Sequence, residues 1–129
     1  MNLNQVTVPA TDIDKSIEFY QLLGLELIVR SPHYARFRCP DGDATFSIHL
    51  TDKPPGASNA VVYFETRTLD EKVGQLRRDG IAFLQEPRDE AWLWREARLT
   101  DPAGNVICLY WAGVNRLNPP WRIGKTGAS

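Results

Sequence analysis

The sequence predicts an α+β fold of two tandem β-α-β-β-β modules, because one strand–helix signal occurs twice in the chain. From Gln5 to Gly24, alternating valines indicate a half-buried strand, and apolar residues then follow at helical spacing. The same signal returns fifty-six positions later, with the same strand position, helix length and glycine stop. A shared strand, helix and stop indicate an internal duplication. The recurring helical positions are Ile13, Ile17, Tyr20 and Gly24, matched by Leu69, Val73, Leu76 and Gly80.

The ends of both strand–helix units follow from local chemistry. Pro9 is expected to end the first strand, because proline lacks the N–H that a sheet ladder needs. Thr11 or Asp12 can cap the first helix through a side-chain oxygen. Thr68 together with Glu71 predicts a capping box at the second helix.

Each helix is followed by a predicted three-stranded meander. The first module, about residues 3–50, should contain the strands Leu25–Val29, Tyr34–Cys39 and Ala44–Leu50. A linker, Lys53–Ser58, leads to the second module, about residues 59–111, and a tail of residues 112–129 follows it. We expect the whole to be a single domain. The second module should contain strand Ala60–Thr66, helix Leu69–Asp79, strand Ile81–Leu84, loop Pro87–Glu90, and strands Trp92–Leu99 and Val106–Trp111.

Composition restricts the function classes. The chain has 129 residues, 43% of them apolar and 24% charged, which is ordinary for a globular protein. A net charge of −1 with no basic block argues against nucleic acid as the main partner. No apolar run is long enough to span a membrane and no signal-peptide pattern opens the chain, so a cytoplasmic location is expected. Cys39 and Cys108 are expected to be reduced thiols.

The alternation divides each predicted sheet into two faces. One face packs against the helix, and the other is mixed and polar. If the two sheets curve into one cup-shaped open barrel, the polar face lines a cavity, and the arginines and glutamate at its wall suit a polar or anionic small molecule. The cavity-lining residues would be Gln5, Thr7, Thr45, Ser47, His49, Val61, Tyr63, Glu65, Val106, Cys108 and Tyr110, with Arg36, Arg38, Glu96 and Arg98 at the wall.

Three stretches together resemble the glyoxalase, bleomycin-resistance and extradiol-dioxygenase superfamily, also called the vicinal oxygen chelate fold. The resemblance covers about residues 3–111 and implies paired β-α-β-β-β modules, often in a homodimer. The stretches are QVTVPATDIDKSIEFYQLLGLEL, VVYFETRTLDEKVGQLRRDG and REARLTDPAGNVICLYW.

The resemblance also implies positions for a metal site, and this chain departs from the usual ligands there. Metal-using members take one ligand from the first and one from the last strand of each module, and the matching positions are Gln5, His49, Val61 and Cys108. Valine cannot coordinate a metal, and a cysteine favours zinc over magnesium or manganese. A three-ligand site of Gln5, His49 and Cys108 for a divalent metal such as zinc remains an alternative to a pocket without metal.

Several side chains are candidates for the site itself. His49, Glu65 and Glu96 are the candidate acids or bases, although a lone histidine is more often a hydrogen-bonding wall residue and most carboxylates on sheets are simply solvated. Trp92 and Trp94 either stack against a ligand or fill a dimer interface. Trp111 is expected in the core, Arg77 and Arg78 on a solvated helix face, and Trp121 as a packing anchor for the tail. The predicted ligand-binding residues are Tyr63, Trp92, Trp94, Arg98 and Arg38, with His49.

Two functions are therefore expected from the sequence. The first is a cytosolic glyoxalase/bleomycin-resistance-like protein, a homodimer, which binds a small polar or aromatic molecule without the usual metal. The second is a lyase or isomerase in which Gln5, His49 and Cys108 hold a metal that polarises a carbonyl while a carboxylate moves the proton. A purely structural or interaction role comes third.

Overall fold

A computed structural model describes residues 1–53 and 60–124. The chain forms two compact units, unit 1 of Met1–Ala60 with Thr100–Val106, and unit 2 of Val61–Leu99 with Ile107–Ser129. Most of the predicted linker Lys53–Ser58 lies outside the described residues. Among the residues that are described, no helix combines the length and the apolar character needed to cross a membrane.

Unit 1 contains the first β-α-β-β-β module. Its four strands form one mixed sheet in the order β1-β4-β3-β2, in which β1 runs parallel to β4 and the other pairs are antiparallel. The elements are β1 (Gln5–Ala10), α1 (Ile13–Leu23), β2 (Glu26–Ser31), β3 (Tyr34–Arg38) and β4 (Thr45–Leu50).

Unit 2 contains the second module with the equivalent strand order, β5-β8-β7-β6. The elements are β5 (Val61–Glu65), α2 (Leu69–Arg78), β6 (Gln85–Asp89), β7 (Arg95–Thr100), β8 (Val106–Trp111) and α3 (Val114–Leu117). The repeated order confirms the α+β class and the tandem modules. Closure of the two sheets into a cup stays a prediction.

The first helix forms as its sequence predicts. The Asp12 carboxylate accepts a hydrogen bond from the Lys15 N–H at 3.0 Å, and Gly24 ends the helix at φ 106°, a conformation that costs glycine little. Its predicted apolar face is buried, since Ile13, Ile17 and Tyr20 are all at most 7% exposed.

The second helix has the predicted buried face but not the predicted cap. Leu69, Val73 and Leu76 are at most 3% exposed. The capping box of Thr68 and Glu71 is wrong, because the Thr68 side chain makes no cap hydrogen bond. Thr68 has φ −107° and ψ 49°, outside the extended conformation that directs an N-cap side chain to the helix amides.

Two predicted strand limits are wrong for the same reason, a proline in an edge strand. Strand β1 continues through Pro9 to Ala10, and β6 includes Pro87, in the stretch predicted as a loop, whereas the predicted strand Ile81–Leu84 is irregular. Both strands lie at the edge of their sheet. An edge strand tolerates proline, because the missing N–H can fall on the side that has no neighbour.

The third wrong limit concerns the two tryptophans. Strand β7 begins at Arg95, and the preceding residues form a turn in which the Glu90 N–H donates to the Trp94 carbonyl at 2.8 Å. Leu93 has φ 68° in this turn, which a continuous strand would not allow. Trp92 and Trp94 thus lie before the strand, on the turn that leads into it.

The chain after β8 differs in part from expectation. The absence of a further strand in the described residues agrees with the prediction, and a single helical turn, α3, takes its place. Trp121 is 58% exposed, so its predicted role as a packing anchor is wrong. Trp111 is half-buried rather than part of the core, with the Arg67 guanidinium 5.0 Å from its ring centroid.

The core of unit 1 is centred on Tyr20. Its ring packs against Phe37 and Phe46, with centroids 5.8 and 4.6 Å away. Its hydroxyl, fully buried, donates to Asp101 Oδ2 at 2.6 Å. Burial, together with the Asp101 charge and hydrogen bond, raises the pKa of Tyr20 far above its usual value. The phenol therefore stays protonated and remains a donor.

Asp101 in turn holds the tight turn that joins β7 to β8. Its Oδ1 accepts from the backbone N–H groups of Ala103 at 3.0 Å and Asn105 at 2.8 Å. Asn105 Nδ2 donates both to Asp101 Oδ2 at 2.7 Å and to the Pro9 carbonyl at 2.8 Å. A buried carboxylate, 4% exposed, is stable here because each oxygen has donors.

We expect Asp101→Ala to lower the free energy of unfolding by about 3 kcal/mol, since it leaves the Tyr20 hydroxyl and the turn amides without their acceptor. Tyr20→Phe should cost about 1–2 kcal/mol, the loss of one donor to a carboxylate that keeps its others. Urea denaturation at pH 7 measures both. The control is Asp41→Ala in an exposed turn, which should stay within about 0.5 kcal/mol. Equal costs for Asp101→Ala and Asp41→Ala would contradict this account.

Candidate functional site

Unit 1 has a polar face, which we define by the outward residues of β1, β3 and β4. The register pairs Arg36 with Ser47 and Tyr34 with His49, and places Gln5 beside Thr45 on the parallel strand. The Leu50 N–H donates to the His33 carbonyl at 2.8 Å, so Tyr34 and His49 form a non-hydrogen-bonded pair, the kind whose side chains are closest. The residues of this polar face are Gln5, Thr7, Tyr34, Arg36, Arg38, Thr45, Ser47 and His49.

A chain of hydrogen bonds crosses the polar face. Gln5 Nε2 donates to Ser47 Oγ at 2.8 Å, the Ser47 and Tyr34 hydroxyls are 2.7 Å apart, and Arg36 Nε donates to the Tyr34 oxygen at 2.9 Å. Ser47 is fully buried. The hydrogen bond from Ser47, opposed by partial burial and aided by Arg36, lowers the pKa of Tyr34 below its usual value. Tyr34 is thus a more acidic phenol than an isolated tyrosine.

The other predicted residues of this face have different surroundings. His49 is exposed on β4. Arg38 Nε pairs with Glu26 at 3.1 Å, and its Nη1 donates to the Gly42 carbonyl at 2.9 Å. Arg38 Nε and Nη1 are therefore both bonded to residues of unit 1. These bonds favour a structural role for Arg38 over the predicted ligand contact.

In unit 1, the positions that match the family's metal ligands are Gln5 and His49. Gln5 pairs with Thr45 in the register, and His49 lies four residues further along β4, about 13 Å away along the strand. The Gln5 amide is also occupied at its own end of the sheet, where Nε2 bonds Ser47 and Oε1 accepts from the Thr45 hydroxyl. In this arrangement Gln5 and His49 do not converge on one ion.

The remaining donors do not supply an alternative metal site. Within residues 1–53 and 60–124, no three His, Cys, Asp or Glu side chains come together as a group that could hold an ion. Cys108 lies in unit 2, and Val61 offers no donor atom. The donor set therefore does not fit the metal that the resemblance implies.

Unit 2 presents an aromatic face, which we define as Tyr63, Trp94 and Tyr110. Trp94 stacks on Tyr110, with centroids 4.7 Å apart and planes inclined by 23°. Tyr63 stands edge-on to both, at 6.0 Å from Trp94 and 5.5 Å from Tyr110. Tyr110 is 6% exposed, whereas Tyr63 is 42% exposed and Trp94 is half-buried. Tyr110 thus supports from below two aromatic groups that reach solvent.

A buried carboxylate adjoins the aromatic face. Glu96 is 1% exposed and accepts from Trp92 Nε1 at 2.7 Å and from Arg98 Nη2 at 3.3 Å. The same Arg98 nitrogen lies 3.3 Å from the Tyr63 hydroxyl, and the guanidinium carbon lies 6.0 Å from the Tyr63 ring centroid. Glu96 therefore fixes Trp92 and Arg98, and Arg98 in turn contacts the aromatic face.

Cys108 is a fully buried thiol in this cluster. Burial, reinforced by the Glu96 carboxylate, raises the pKa of Cys108 to about 12. Nucleophilic attack needs the thiolate, which this environment suppresses in the absence of a metal. Cys108 accordingly behaves as a small apolar residue under the sheet face.

Glu65, a predicted acid or base, is engaged by the backbone. Its Oε2 accepts from the N–H groups of Ala112 and Gly113, both at 3.0 Å, and its Oε1 lies 3.7 Å from Arg116 Nε. These bonds secure the chain where it leaves β8 and enters α3. The indole N–H of Trp94 donates to the Asn115 carbonyl at 3.3 Å and secures the same turn.

A surface depression of about 560 Å³ lies elsewhere, at the start of α1. An ion pair of Arg30 with Asp14 is among its lining groups. It includes none of the site residues predicted from the sequence. We assign it no part in the site.

Sequence reasoning missed the residues that organise both faces. Glu96 was predicted at the cavity wall as a candidate acid or base, without its buried bonds to Trp92 and Arg98, and Tyr34 was not predicted as a site residue. The available signal was alternation, which puts Tyr34 on the same side as Arg36, and Glu96 on the same side as Trp94 and Arg98. Burial and cross-strand contact do not follow from that signal.

We expect Cys108 to resist alkylation in the folded protein. A pKa raised from 9.0 to about 12 lowers the thiolate fraction at pH 8 by about a thousandfold. In a Cys39→Ser variant, whose only thiol is Cys108, iodoacetamide should react at least a hundredfold more slowly in buffer than in 6 M guanidinium chloride. Alkylation of the folded variant at the rate of the unfolded one would contradict the burial described here.

Comparison with known proteins identifies relatives of this chain. An uncharacterised protein of Mycolicibacterium smegmatis is 29% identical over 109 residues, which is 84% of this chain and 91% of that protein. A crystal structure of lactoylglutathione lyase from Agrobacterium tumefaciens matches with a TM-score of 0.72 and 16% identity, covering 88% of this chain and 95% of that one. A bleomycin-binding protein complexed with bleomycin matches with a TM-score of 0.69 and 21% identity, covering 86% and 98%. At these identities the two structures share the fold with this chain.

The family model for the Glyoxalase/Bleomycin resistance protein/Dioxygenase superfamily matches residues 2–109. This range includes the first β-α-β-β-β module and the second as far as Leu109 in β8, and it confirms the resemblance predicted from the three sequence stretches. The chain belongs to the Glyoxalase/Bleomycin resistance protein/Dioxygenase superfamily.

Proposed function

We propose that this protein binds a small aromatic or polar molecule on the aromatic face of unit 2, without a metal. Trp94 and Tyr63 would stack against the ligand, and Arg98 would donate to a polar group on it. The observation that supports this most directly is the supported aromatic arrangement, in which buried Tyr110 holds Trp94 at 4.7 Å.

The arrangement suits stacking because the rings are already held in place. Trp94 is restrained by Tyr110 on one side and by its N–H bond to the Asn115 carbonyl. A ring that is immobilised before binding loses little conformational entropy when a ligand arrives. Tyr63, 42% exposed, is the group of this face most open to a ligand.

The charges near this face also favour an aromatic ligand with a polar substituent. The positive charge of Arg98 is balanced by the buried carboxylate of Glu96, 3.3 Å away. Stacking and hydrogen bonding, rather than a strong net charge, would therefore supply the affinity. Trp92, 44% exposed, would border the ligand while its N–H stays with Glu96.

Relatives give the proposal a precedent at the level of fold. A bleomycin-binding protein with the same fold holds bleomycin. The homodimer and the cytoplasmic location expected from the sequence belong to this proposal. The alternative is a lyase or isomerase in which Gln5, His49 and Cys108 hold zinc. The zinc content of the purified protein separates these two functions.

We expect ligands from a panel of aromatic carboxylic acids, planar aromatic compounds and bleomycin to quench the tryptophan fluorescence of the protein. Trp94→Leu should weaken binding of a responding compound by about tenfold, because an aromatic contact contributes about 0.5–1.5 kcal/mol beyond its buried area. Trp121→Leu is the matched control, since Trp121 is 58% exposed in the tail and should leave the affinity unchanged. If no compound responds, or if both variants bind a compound equally, the proposal is wrong.

We expect the purified protein to contain far less than one equivalent of zinc, and added divalent ions to leave its melting temperature unchanged. The reason is that the Gln5 amide is bonded to Ser47 and Thr45 and that Gln5 and His49 lie at positions of the sheet that do not converge on one ion. Elemental analysis before and after His49→Ala measures this. Stoichiometric zinc that disappears in His49→Ala would support the alternative enzyme and overturn the metal-free proposal.

A further inference from the structure

We infer that the segment Ala112–Asn118 is a strap that holds Trp94 in place for a ligand, and that Glu65 is the residue that fastens this strap to the sheet. All of these residues belong to unit 2, and the strap lies beyond residues 2–109, the range that the family model matches. The importance of Trp94 rests on the function proposed above, whereas the coupling of Glu65 to Trp94 can be measured without a ligand.

The end of β5 brings Glu65 to the first residues of the strap. The Thr66 N–H donates to the Tyr110 carbonyl at 2.8 Å, so β5 and β8 end side by side. Glu65 Oε2 accepts from the successive N–H groups of Ala112 and Gly113, both at 3.0 Å. Successive N–H groups that converge in a turn form a site for an anion, and hydrogen bonds to a carboxylate are about twice as strong as neutral ones. In this turn the chain itself supplies the anion.

Gly113 gives the strap its direction. It has φ 57° and ψ −129°, a combination that glycine adopts far more easily than any other residue. A Cβ at this position would also lie 3.0 Å from Cζ2 of the Trp111 ring, so the close approach of that ring requires glycine. The chain therefore turns sharply between β8 and α3, and the amides at this turn point to Glu65.

The strap connects this turn to Trp94. The Trp94 indole N–H donates to the Asn115 carbonyl at 3.3 Å. The Asn115 N–H donates to the Ala112 carbonyl at 3.1 Å, so the position of Asn115 follows from that of Ala112. Ala112 is bonded to Glu65 through its own N–H and belongs to the buried cluster against which Trp94 packs. A continuous path of hydrogen bonds thus joins the Glu65 carboxylate to the indole.

The attachment of α3 depends on these polar contacts more than on apolar burial. Val114 is 69% exposed and Leu117 is 63% exposed. Asn115 is half-buried, and Arg116 is exposed with its Nε 3.7 Å from Glu65 Oε1. A single helical turn is not stable by itself, so its position has to be set by contacts with the sheet. Loss of the Glu65 carboxylate should therefore release α3, together with the carbonyl that accepts from the indole.

The strap completes the restraint on the stacking ring. Tyr110 stacks on Trp94 at 4.7 Å, and stacking limits the tilt of a ring more than its rotation within its own plane. The hydrogen bond to Asn115 fixes this rotation. A ring that is already held loses less conformational entropy when a ligand binds. Glu65 is thus a positioning residue, which acts on the ligand through Trp94.

Hydrogen exchange of the indole N–H groups, followed by NMR without ligand, tests this inference. In Glu65→Ala the Trp94 N–H should exchange about tenfold faster than in the wild-type protein, because a released strap opens locally far more often. The Trp92 N–H, which donates to Glu96 in the same unit, is the internal control and should keep its rate. Glu71→Ala removes an exposed glutamate of α2 and should leave both rates unchanged. Trp94→Phe and Trp92→Phe assign the two resonances.

Two further variants separate positioning from a general effect on folding. Glu65→Gln keeps an oxygen that accepts from both amides, and should bring the Trp94 exchange rate back to within about threefold of wild type. Gly113→Ala keeps the carboxylate but distorts the turn, and should accelerate exchange as Glu65→Ala does. Equal acceleration at Trp92 and Trp94, a wild-type Trp94 rate in Glu65→Ala or in Gly113→Ala, or no recovery in Glu65→Gln would overturn the inference. Because no ligand is present, failure of the proposed binding function would not change these outcomes.

Discussion

The buried carboxylate of Glu96 is the constraint around which the open face of unit 2 is built. A carboxylate that is 1% exposed is stable only with donors that offset its desolvation, and Trp92 and Arg98 provide them. These hydrogen bonds hold Trp92 in place on the turn before β7 and Arg98 in place within β7. Arg98 then donates to the Tyr63 hydroxyl, so the buried charge is connected to the aromatic face through this one hydrogen bond.

The two modules share a pattern in which an arginine of the third strand lies beside a small buried residue of the fourth. In unit 1 the pair is Arg36 and Ser47, and in unit 2 it is Arg98 and Cys108. The third partner differs, because Arg36 bonds the neutral phenol of Tyr34, whereas Arg98 bonds a carboxylate. Among the described residues, the arginine of this pair therefore has no carboxylate partner in unit 1 and has Glu96 as its partner in unit 2.

The sequence predicted the features that depend on local periodicity and local chemistry. Alternation and helical spacing located both modules, and Asp12 and Gly24 marked the limits of α1. The sequence did not predict strand limits that depend on the position of the strand in its sheet. Pro9 is an example, because β1 is an edge strand and an edge strand tolerates proline. The prediction failed again at Leu93, where positive φ converts a predicted strand into a turn. The Gln5–Ser47–Tyr34 chain could not be predicted either, since it joins three strands whose register is set by the packed sheet.

The same comparison explains why the family's metal positions are no guide to the chemistry of this chain. A metal needs donors that converge on one point, and the residues at the matched positions here make other contacts. Gln5 is a hydrogen-bond donor to Ser47, and Cys108 is a protonated thiol under a sheet face. In both units an arginine guanidinium is the cation of the open face. A guanidinium attracts anions and stacks on rings but cannot act as a Lewis acid, and this difference in chemistry is what the proposal of binding without a metal depends on.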